Sequence, residues 1–177
     1  QMCIRDSSME TDSVSMDNIS AEYKMTEYLI ELGHKKIAYV GSINATTSIM
    51  DRYLGYRRAL HHYNILYRED YLIEDRGEDR LFKELALPED MPTAFVCNND
   101  EIACILIEKL EKMGYSVPED ISVTGFDNYP FIRRNASGLT TVDVDIAMMA
   151  SEGVELLLER LNDKRETFVR RVVSGHI

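Results

Sequence analysis

Short acidic and amide side chains follow several apolar segments and are the best candidates for binding chemistry in this sequence. Asn99 and Asp100 follow the apolar run that ends at Cys97, and Asp127 follows another run. Asp17 follows a third. A carboxylate accepts hydrogen bonds from two hydroxyls, and an amide both donates and accepts. These residue types suit a ligand that is rich in hydroxyl or amino groups.

Each of these residues also has a simpler possible role, because Asp and Asn cap the first turn of helices. Capping stays an alternative for Asn18 and Asn99, since helical patterns follow both. It is weaker for Asp127, because Tyr129-Pro130 comes next and no long helix begins there.

Arg52 is a further candidate, near the start of a helical segment that follows a polar loop at 41–48. A cation is unfavourable at this end of a helix dipole. Either Arg52 pairs with its neighbour Asp51 at the surface, or its guanidinium turns into a cleft and donates several hydrogen bonds to a ligand. The sequence leaves both interpretations open.

Short apolar runs alternate with segments of helical period, and this order predicts the elements that position the candidates. Strands are expected at 11–16, 36–40, 71–74, 93–97, 121–124, 139–142 and 168–173, and helices at 18–32, 50–63, 78–85, 100–113 and 146–161. The alternation indicates βαβ units and an α/β fold with a parallel, doubly wound sheet. Ligands bind outside the carboxyl ends of such strands, where the candidate residues stand.

The last helix is predicted to begin after Asp145 as its N-cap. Its helical period predicts an inner face of Ile146, Ala150, Gly153 and Leu157.

Composition excludes several classes of function for the residues present. A net charge of −11 argues against this segment binding nucleic acid, which needs clustered Lys and Arg. The apolar runs are too short to span a bilayer, so no membrane partner is expected. Cys3, Cys97 and Cys104 form no disulfide framework, and we interpret Cys97 and Cys104 as small buried hydrophobes in a reducing compartment.

Known catalytic motifs are missing from the sequence. There is no phosphate-binding loop, no G-x-G-x-x-G and no G-x-S-x-G nucleophile elbow. His61 and His62 are adjacent, so on a helix they point in different directions and complete no metal-ligand set. We therefore expect a binding domain and not an enzyme, with no cofactor and no metal site.

Residues 1–10 have no clear period and resemble a translated cloning adapter more than native protein. We expect them to be a non-native leader and exclude them from the prediction of the fold.

Five strings in order resemble one family, the effector-binding domain of LacI/GalR-type bacterial transcription regulators. They lie at 32–41 (LGHKKIAYVG), 52–60 (RYLGYRRAL), 92–103 (PTAFVCNNDEIA), 117–128 (VPEDISVTGFDN) and 139–142 (LTTV). The resemblance runs from about Ser13 to the end of the chain.

The resemblance implies a type I periplasmic-binding-protein-like fold with two lobes. Residues 11–142 would form most of the second lobe, and 143–177 a helix and a strand that return to the first. It further implies a cytoplasmic homodimer that binds a small effector, with a sugar favoured. Operator DNA would be bound through a headpiece that is absent from this chain.

The resemblance also assigns effector-contacting positions. Arg52 matches the arginine of the family's second helix, Asn99 or Asp100 matches a polar strand end, and Asp127 matches the ligand-binding aspartate. Asp17 matches a weaker pocket position. Many members carry an aromatic ring after the strand at 71–74, where this chain has Asp75-Arg76-Gly77. This departure favours a sugar over a flat purine.

Two other functions fit an α/β binding lobe. One is an exported sugar-binding protein that feeds a transporter, and the other is a sugar-modifying α/β enzyme. The free cysteines and the string at 117–123 favour the regulator over the exported protein. The enzyme would need a catalytic residue that the sequence does not offer.

Overall fold

A computed structural model describes residues 11–77, 79, 81–129, 138–162 and 167–177. The strands of this part are Ser13–Met16 (β1), Ile37–Val40 (β2), Leu72–Ile73 (β3), Ala94–Cys97 (β4), Ser122–Asp127 (β5), Thr140–Asp143 (β6) and Arg170–Val173 (β7). The α-helices are Asn18–Glu31 (α1), Thr47–His62 (α2), Asp100–Lys112 (α3) and Ile146–Asn162 (α4), and a short 3-10 helix covers Glu69–Tyr71.

Five parallel strands form the main sheet, in the order β3-β2-β4-β5-β6. In the register, Ile37 lies beside Ala94 and Ala94 lies beside Ser122. The chain winds outward from β2 to β3 and then crosses back to β4, so the order reverses between β2 and β4. This confirms the predicted doubly wound parallel sheet. A reversal of this kind opens a crevice at the carboxyl ends of the two strands.

Both faces of the main sheet are covered, which explains why its strands are apolar without alternation. Tyr39 and Val96 pack against α1 and α2, while Val40 and Phe95 pack against α3 on the other face. All four residues of β2 and all four of β4 are buried. The continuous apolar runs of the sequence are therefore strands in the middle of three layers.

A second, smaller sheet pairs β1 with β7 in parallel, and α4 packs beside it. An ion pair between Arg160 and Asp12, at 2.5 Å, links α4 to the residue before β1. Within this chain, the predicted inner face of α4 is not the side that is buried. Leu156 is the buried residue of this helix, whereas Ile146 is 48% exposed and Leu157 is 59% exposed. The segment is helical as predicted, but β1 and β7 cover the side of α4 that carries Leu156.

Several predicted boundaries also differ. Thr46 caps α2, so this helix begins inside the predicted polar loop. The described residues of the stretch predicted as a helix at 78–85 form none, and Arg76 pairs with Phe82 in an isolated antiparallel bridge instead. The strand β5 continues to Asp127, because Gly125 to Asp127 pair with β6.

Helix ends follow the expected chemistry more closely. Gly33 and Gly114 end α1 and α3 with positive φ angles of 99° and 91°. Asp145 caps α4, since its Oδ1 accepts from the backbone N–H of Met148 at 2.7 Å. None of the helices in the described ranges has the length and apolar character that a membrane crossing requires.

Candidate functional site

The carboxyl edge of the main sheet carries a row of polar side chains. Along the strand order β3-β2-β4-β5-β6 they are Asp75, Ser42, Asn98, Asp127 and Asp143. The crevice between β2 and β4 lies within this row. The structure therefore places the strand-end residues where the topology predicts a ligand site.

Arg52 points into this edge from α2. It lies on the face of the helix that also buries Ile49, Tyr53 and Tyr56, and only 7% of it is exposed. Its Nε donates to Asn18 Oδ1 at 3.0 Å, its Nη2 donates to Asp127 Oδ1 at 3.1 Å, and its Nη1 donates to the carbonyl of Asn98.

The guanidinium also stacks on an aromatic ring, with its carbon 3.7 Å from the centroid of Phe126. A planar guanidinium can donate to several acceptors while its flat face stacks on a ring. Of the two interpretations that the sequence left open for Arg52, the structure has the one in which it turns into the cleft.

Asp127 is the last residue of β5 and forms an ion pair with Arg52. Its carboxylate is 41% exposed, so one side meets solvent while Oδ1 accepts from Arg52. Burial raises the pKa of this carboxyl, and Arg52 opposes the rise. The backbone φ is 100° at Asp127 and 50° at Asn128, a conformation that costs free energy in non-glycine residues. Such strain at an edge of polar side chains is typical of functional sites.

Asp100, the first residue of α3, is buried and binds residues that flank the end of β5. It is 4% exposed, and its two oxygens accept from Thr141 Oγ1 at 2.5 Å and from the backbone N–H of Tyr129 at 2.9 Å. Burial raises the pKa of Asp100, and these hydrogen bonds oppose the rise. A Cβ added to Gly125 would lie 2.3 Å from Asp100 Oδ1, so the carboxylate needs a glycine beside it. Asp100 thus binds protein groups that fix the turn after β5.

Asn99 and Asp17 both cap helices. Asn99 Oδ1 accepts from the backbone N–H of Ile102 at 2.9 Å, and Asp17 Oδ1 accepts from that of Ser20 at 3.0 Å. Both residues are partly exposed at the start of their helices. Asp17 caps α1 in place of Asn18, for which that role had been the alternative, and Asn18 is free to accept from Arg52.

The structure adds two buried residues that the sequence did not single out as binding residues. The Asn98 Nδ2 donates to Val40 O and to Asp75 Oδ2, both at 3.0 Å, while its Oδ1 is buried without a partner among the described residues. Glu22 in α1 is fully buried, and both its oxygens likewise lack a hydrogen-bond partner within the described part.

Burial raises the pKa of Glu22 to about 8, against an opposing effect of Arg52. Helical spacing gave a signal for this residue, because Glu22 shares one face of α1 with Met25 and Leu29. A charged residue on the apolar face of a predicted helix indicates a buried ionisable group.

The aromatic ring of Phe82 lies beside the loop that follows β3. The bridge between Arg76 and Phe82 places the Arg76 guanidinium carbon 4.9 Å from the Phe82 centroid, and Phe82 is 42% exposed. Phe82 thus lies beside Arg76, in contact with its guanidinium. Among the described residues, His, Cys, Asp and Glu form no group of three that would hold a metal ion.

Comparison with known families and structures gives a consistent result. A family model described as a periplasmic binding protein-like domain matches residues 26–177. The chain is 32% identical over 159 residues to the arabinose metabolism transcriptional repressor of Geobacillus stearothermophilus, covering 85% of this chain and 43% of that protein. It is 34% identical over 177 residues to the HTH-type transcriptional repressor PurR of Vibrio atlanticus, covering 96% and 51%.

A solved structure agrees with these relatives. A LacI family transcriptional regulator from Enterococcus faecium with bound ribose superimposes with a TM-score of 0.75 at 27% identity, covering 93% of this chain and 62% of that one. The chain spans about half the length of the curated relatives that it matches. The relatives named are transcription regulators and not enzymes.

Proposed function

The chain belongs to the family of periplasmic binding protein-like domains, and from this membership we propose that it is the effector-sensing domain of a LacI-type transcription regulator. Its effector is a sugar, bound by Arg52 and Asp127 at the carboxyl edge of the main sheet. The observation that carries the proposal is the Arg52–Asp127 pair, in which a buried cation orients a carboxylate that is 41% exposed.

Hydrogen-bonding capacity supports a donor-rich ligand. Each of the three Arg52 nitrogens already donates to a protein acceptor. The Asp127 side chain, by contrast, is 41% exposed, and its hydrogen bond with Arg52 uses Oδ1. Acceptors in want of donors suit hydroxyl or amino groups, which sugars supply in number.

Charge supports an uncharged sugar over a sugar phosphate. The carboxylates of Asp75, Asp127 and Asp143 line the edge, and Asp100 lies beneath it. Among the described residues, Arg52 and Arg76 are cations that pair with these carboxylates. An anionic ligand would meet like charges at short range, which is unfavourable in a partly buried site. The ribose bound to the Enterococcus faecium regulator is a ligand of the favoured class.

The same proposal includes a division of the chain into parts of two lobes. The sequence predicts residues 11–142 as the second lobe and 143–177 as the part that returns to the first. Because β1 pairs with β7 and packs beside α4, we place β1 with the returning part. Six apolar side chains of α4 are about half exposed or more, namely Ile146, Met148, Val154, Leu157, Leu158 and Leu161. Single exposed apolar residues are normal on a protein surface, but a group of six on one helix is not. This surface therefore fits burial against the remainder of a first lobe.

The regulatory mechanism follows from the two-lobed arrangement. An effector that bridges the lobes stabilises one angle between them, and in a cytoplasmic homodimer this angle sets the spacing of two DNA-binding headpieces on operator DNA. The effector acts only through its different affinity for the two arrangements. In this proposal Asp17, Asn99 and Asp100 complete the wall around Asp127.

The test uses the full-length regulator with Asp127→Asn and with Glu101→Gln as a matched control. Glu101 is an exposed carboxylate in the first turn of α3. A thermal-shift screen against uncharged sugars, sugar phosphates and purines identifies the effector, since a ligand that binds the native state raises its stability. Operator binding is then measured with and without that compound.

We expect Asp127→Asn to keep operator binding and to lose the effector response, while Glu101→Gln keeps both. A wild-type response to a sugar that persists in Asp127→Asn would refute the site. A thermal shift produced by purines or sugar phosphates alone would refute the ligand class.

A further inference from the structure

Glu22 is held in place by the contact between α1 and α2. A Cβ added to Gly55 of α2 would lie 2.3 Å from the carbonyl oxygen of Ile19 and 3.0 Å from Glu22 Cβ. The two helix backbones are therefore as close as a glycine allows, and Glu22 lies at this close contact. Its side chain is enclosed, with an exposed fraction of 0%.

The groups that act on Glu22 come from four neighbouring elements. Arg52 of α2 is the cation among them, Asp127 of β5 is the second carboxylate, and Tyr39 of β2 and Cys97 of β4 are buried neutral groups. The Tyr39 hydroxyl is already used, since it donates to Ile49 O at 3.1 Å. Glu22 lies one helical turn after Asn18, which accepts from Arg52 Nε at 3.0 Å, so its carboxyl stands near the guanidinium that Asp127 binds.

A carboxylate without donors is costly to bury, so Glu22 holds its proton to an unusually high pH. Its pKa is raised to about 8. In the neutral form it leaves Arg52 to Asp127, which the structure shows paired at 3.1 Å. When the proton leaves to solvent, the negative charge remains beside Arg52 in a region of low dielectric, where its attraction is strong.

We propose that Glu22 is a positioning residue of the effector site, which competes with Asp127 for the Arg52 guanidinium once its carboxyl is ionised. This inference rests on the proposed function, because it concerns the same site. A neutral Glu22 keeps Asp127 oriented by Arg52, and an ionised Glu22 draws the guanidinium away and leaves the Asp127 carboxylate to solvent or to a ligand hydroxyl. The affinity of the site for its effector then depends on pH in the mildly alkaline range.

The test follows three NMR signals of the 177-residue chain without any ligand between pH 5 and 9.5. They are the carboxyl carbons of Glu22 and Asp127 and the Nε of Arg52, each assigned by its loss in Glu22→Gln, Asp127→Asn or Arg52→Lys. Glu31→Gln is the matched control, because Glu31 is an exposed residue of the same helix.

We expect all three signals to change with a common midpoint near 8 in the wild type and in Glu31→Gln. In Glu22→Gln the Asp127 and Arg52 signals should stay constant through that range. The wild-type titration suffices by itself if Glu22→Gln does not fold.

Two results would overturn the inference. One is a Glu22 signal that titrates in the ordinary range of a glutamate, and the other is a midpoint near 8 at which Asp127 and Arg52 do not respond. A second titration with ribose added at about 50 mM, which detects binding of millimolar affinity, separates this inference from the proposed function. An Asp127 signal insensitive to ribose and to the sugars of the thermal-shift screen counts against the function and leaves the titration result intact.

Discussion

The main sheet and the small β1–β7 sheet bury their apolar residues to different degrees. In the main sheet, β2 and β4 are buried along their whole length, and α3 buries Ile102, Leu106 and Leu110. On the small sheet, α4 buries Leu156 and exposes most of its other large apolar side chains. One region thus has its core within this chain, while the other presents an apolar surface.

The candidate site lies in the well-packed region. Arg52, Asp127 and Asp100 are held by α2, β5 and α3, whose other residues pack in the main core. Binding geometry is precise when the side chains that make it stand on rigid elements. The candidate site therefore stands on elements that are packed within this chain, and the following predictions test the difference between the two regions.

The largest expected effect comes from the same substitution made in the two regions. Leu106→Ala removes a fully buried side chain from the main core and should destabilise the chain by about 2–5 kcal/mol. Leu157→Ala removes a side chain that is 59% exposed and should change the stability by less than about 0.5 kcal/mol. Chemical denaturation followed by circular dichroism measures both, and equal losses would contradict the division.

The pH dependence of stability should reveal Glu22. Its pKa rises from 4.5 to about 8 on folding, so between these values the folded state binds a proton that the unfolded state has lost. The contribution of Glu22 to stability is therefore complete below pH 4.5 and is lost as pH rises through about 8. The free energy of unfolding should fall by at most about 1.4 kcal/mol per pH unit from this one group.

Denaturation of the wild type, Glu22→Gln and Glu31→Gln at pH 5, 6, 7 and 8 measures this slope. The wild type and Glu31→Gln should lose stability relative to Glu22→Gln as pH rises. Parallel curves for all three proteins would show that Glu22 ionises equally in the folded and unfolded states.

A smaller effect should distinguish two glycines. Gly125→Ala places a methyl group 2.3 Å from Asp100 Oδ1 and should cost about 1–3 kcal/mol, because the buried carboxylate must shift away from its donors. Gly153→Ala on α4 meets nothing within 4 Å and should stabilise the helix by up to about 1 kcal/mol. Midpoints of thermal unfolding that shift in the same direction would argue against this prediction.

Local patterns in the sequence were sufficient for most of the fold. Continuous apolar runs such as Lys36–Val40 predicted buried strands, and the spacing of Ala103, Leu106 and Leu110 predicted α3. The helix-ending glycines and the Asp145 cap followed from the same kind of local rule. These features depend on residues a few positions apart, which is why they are legible in one sequence.

The exceptions were features that depend on more distant neighbours. The side of α4 that is buried within this chain is set by β1, more than 120 residues earlier, so the helical period alone did not identify it. The stretch after Gly77 was assigned to a helix, but it turns back so that Phe82 pairs with Arg76.

The strand-end rule determined where a site should lie, and the resemblance to LacI/GalR-type regulators singled out Arg52 and Asp127 within it. Only the tertiary structure decided what each polar residue does there. In the structure Asn99 and Asp17 cap helices, Asp100 accepts from Thr141 and Tyr129, and Glu22 is buried without a hydrogen-bond partner among the described residues. The sequence specifies which groups stand at the strand ends, but their partners come from segments up to 75 residues away, as for Arg52 and Asp127. Those partners meet only when the packed layers bring them together.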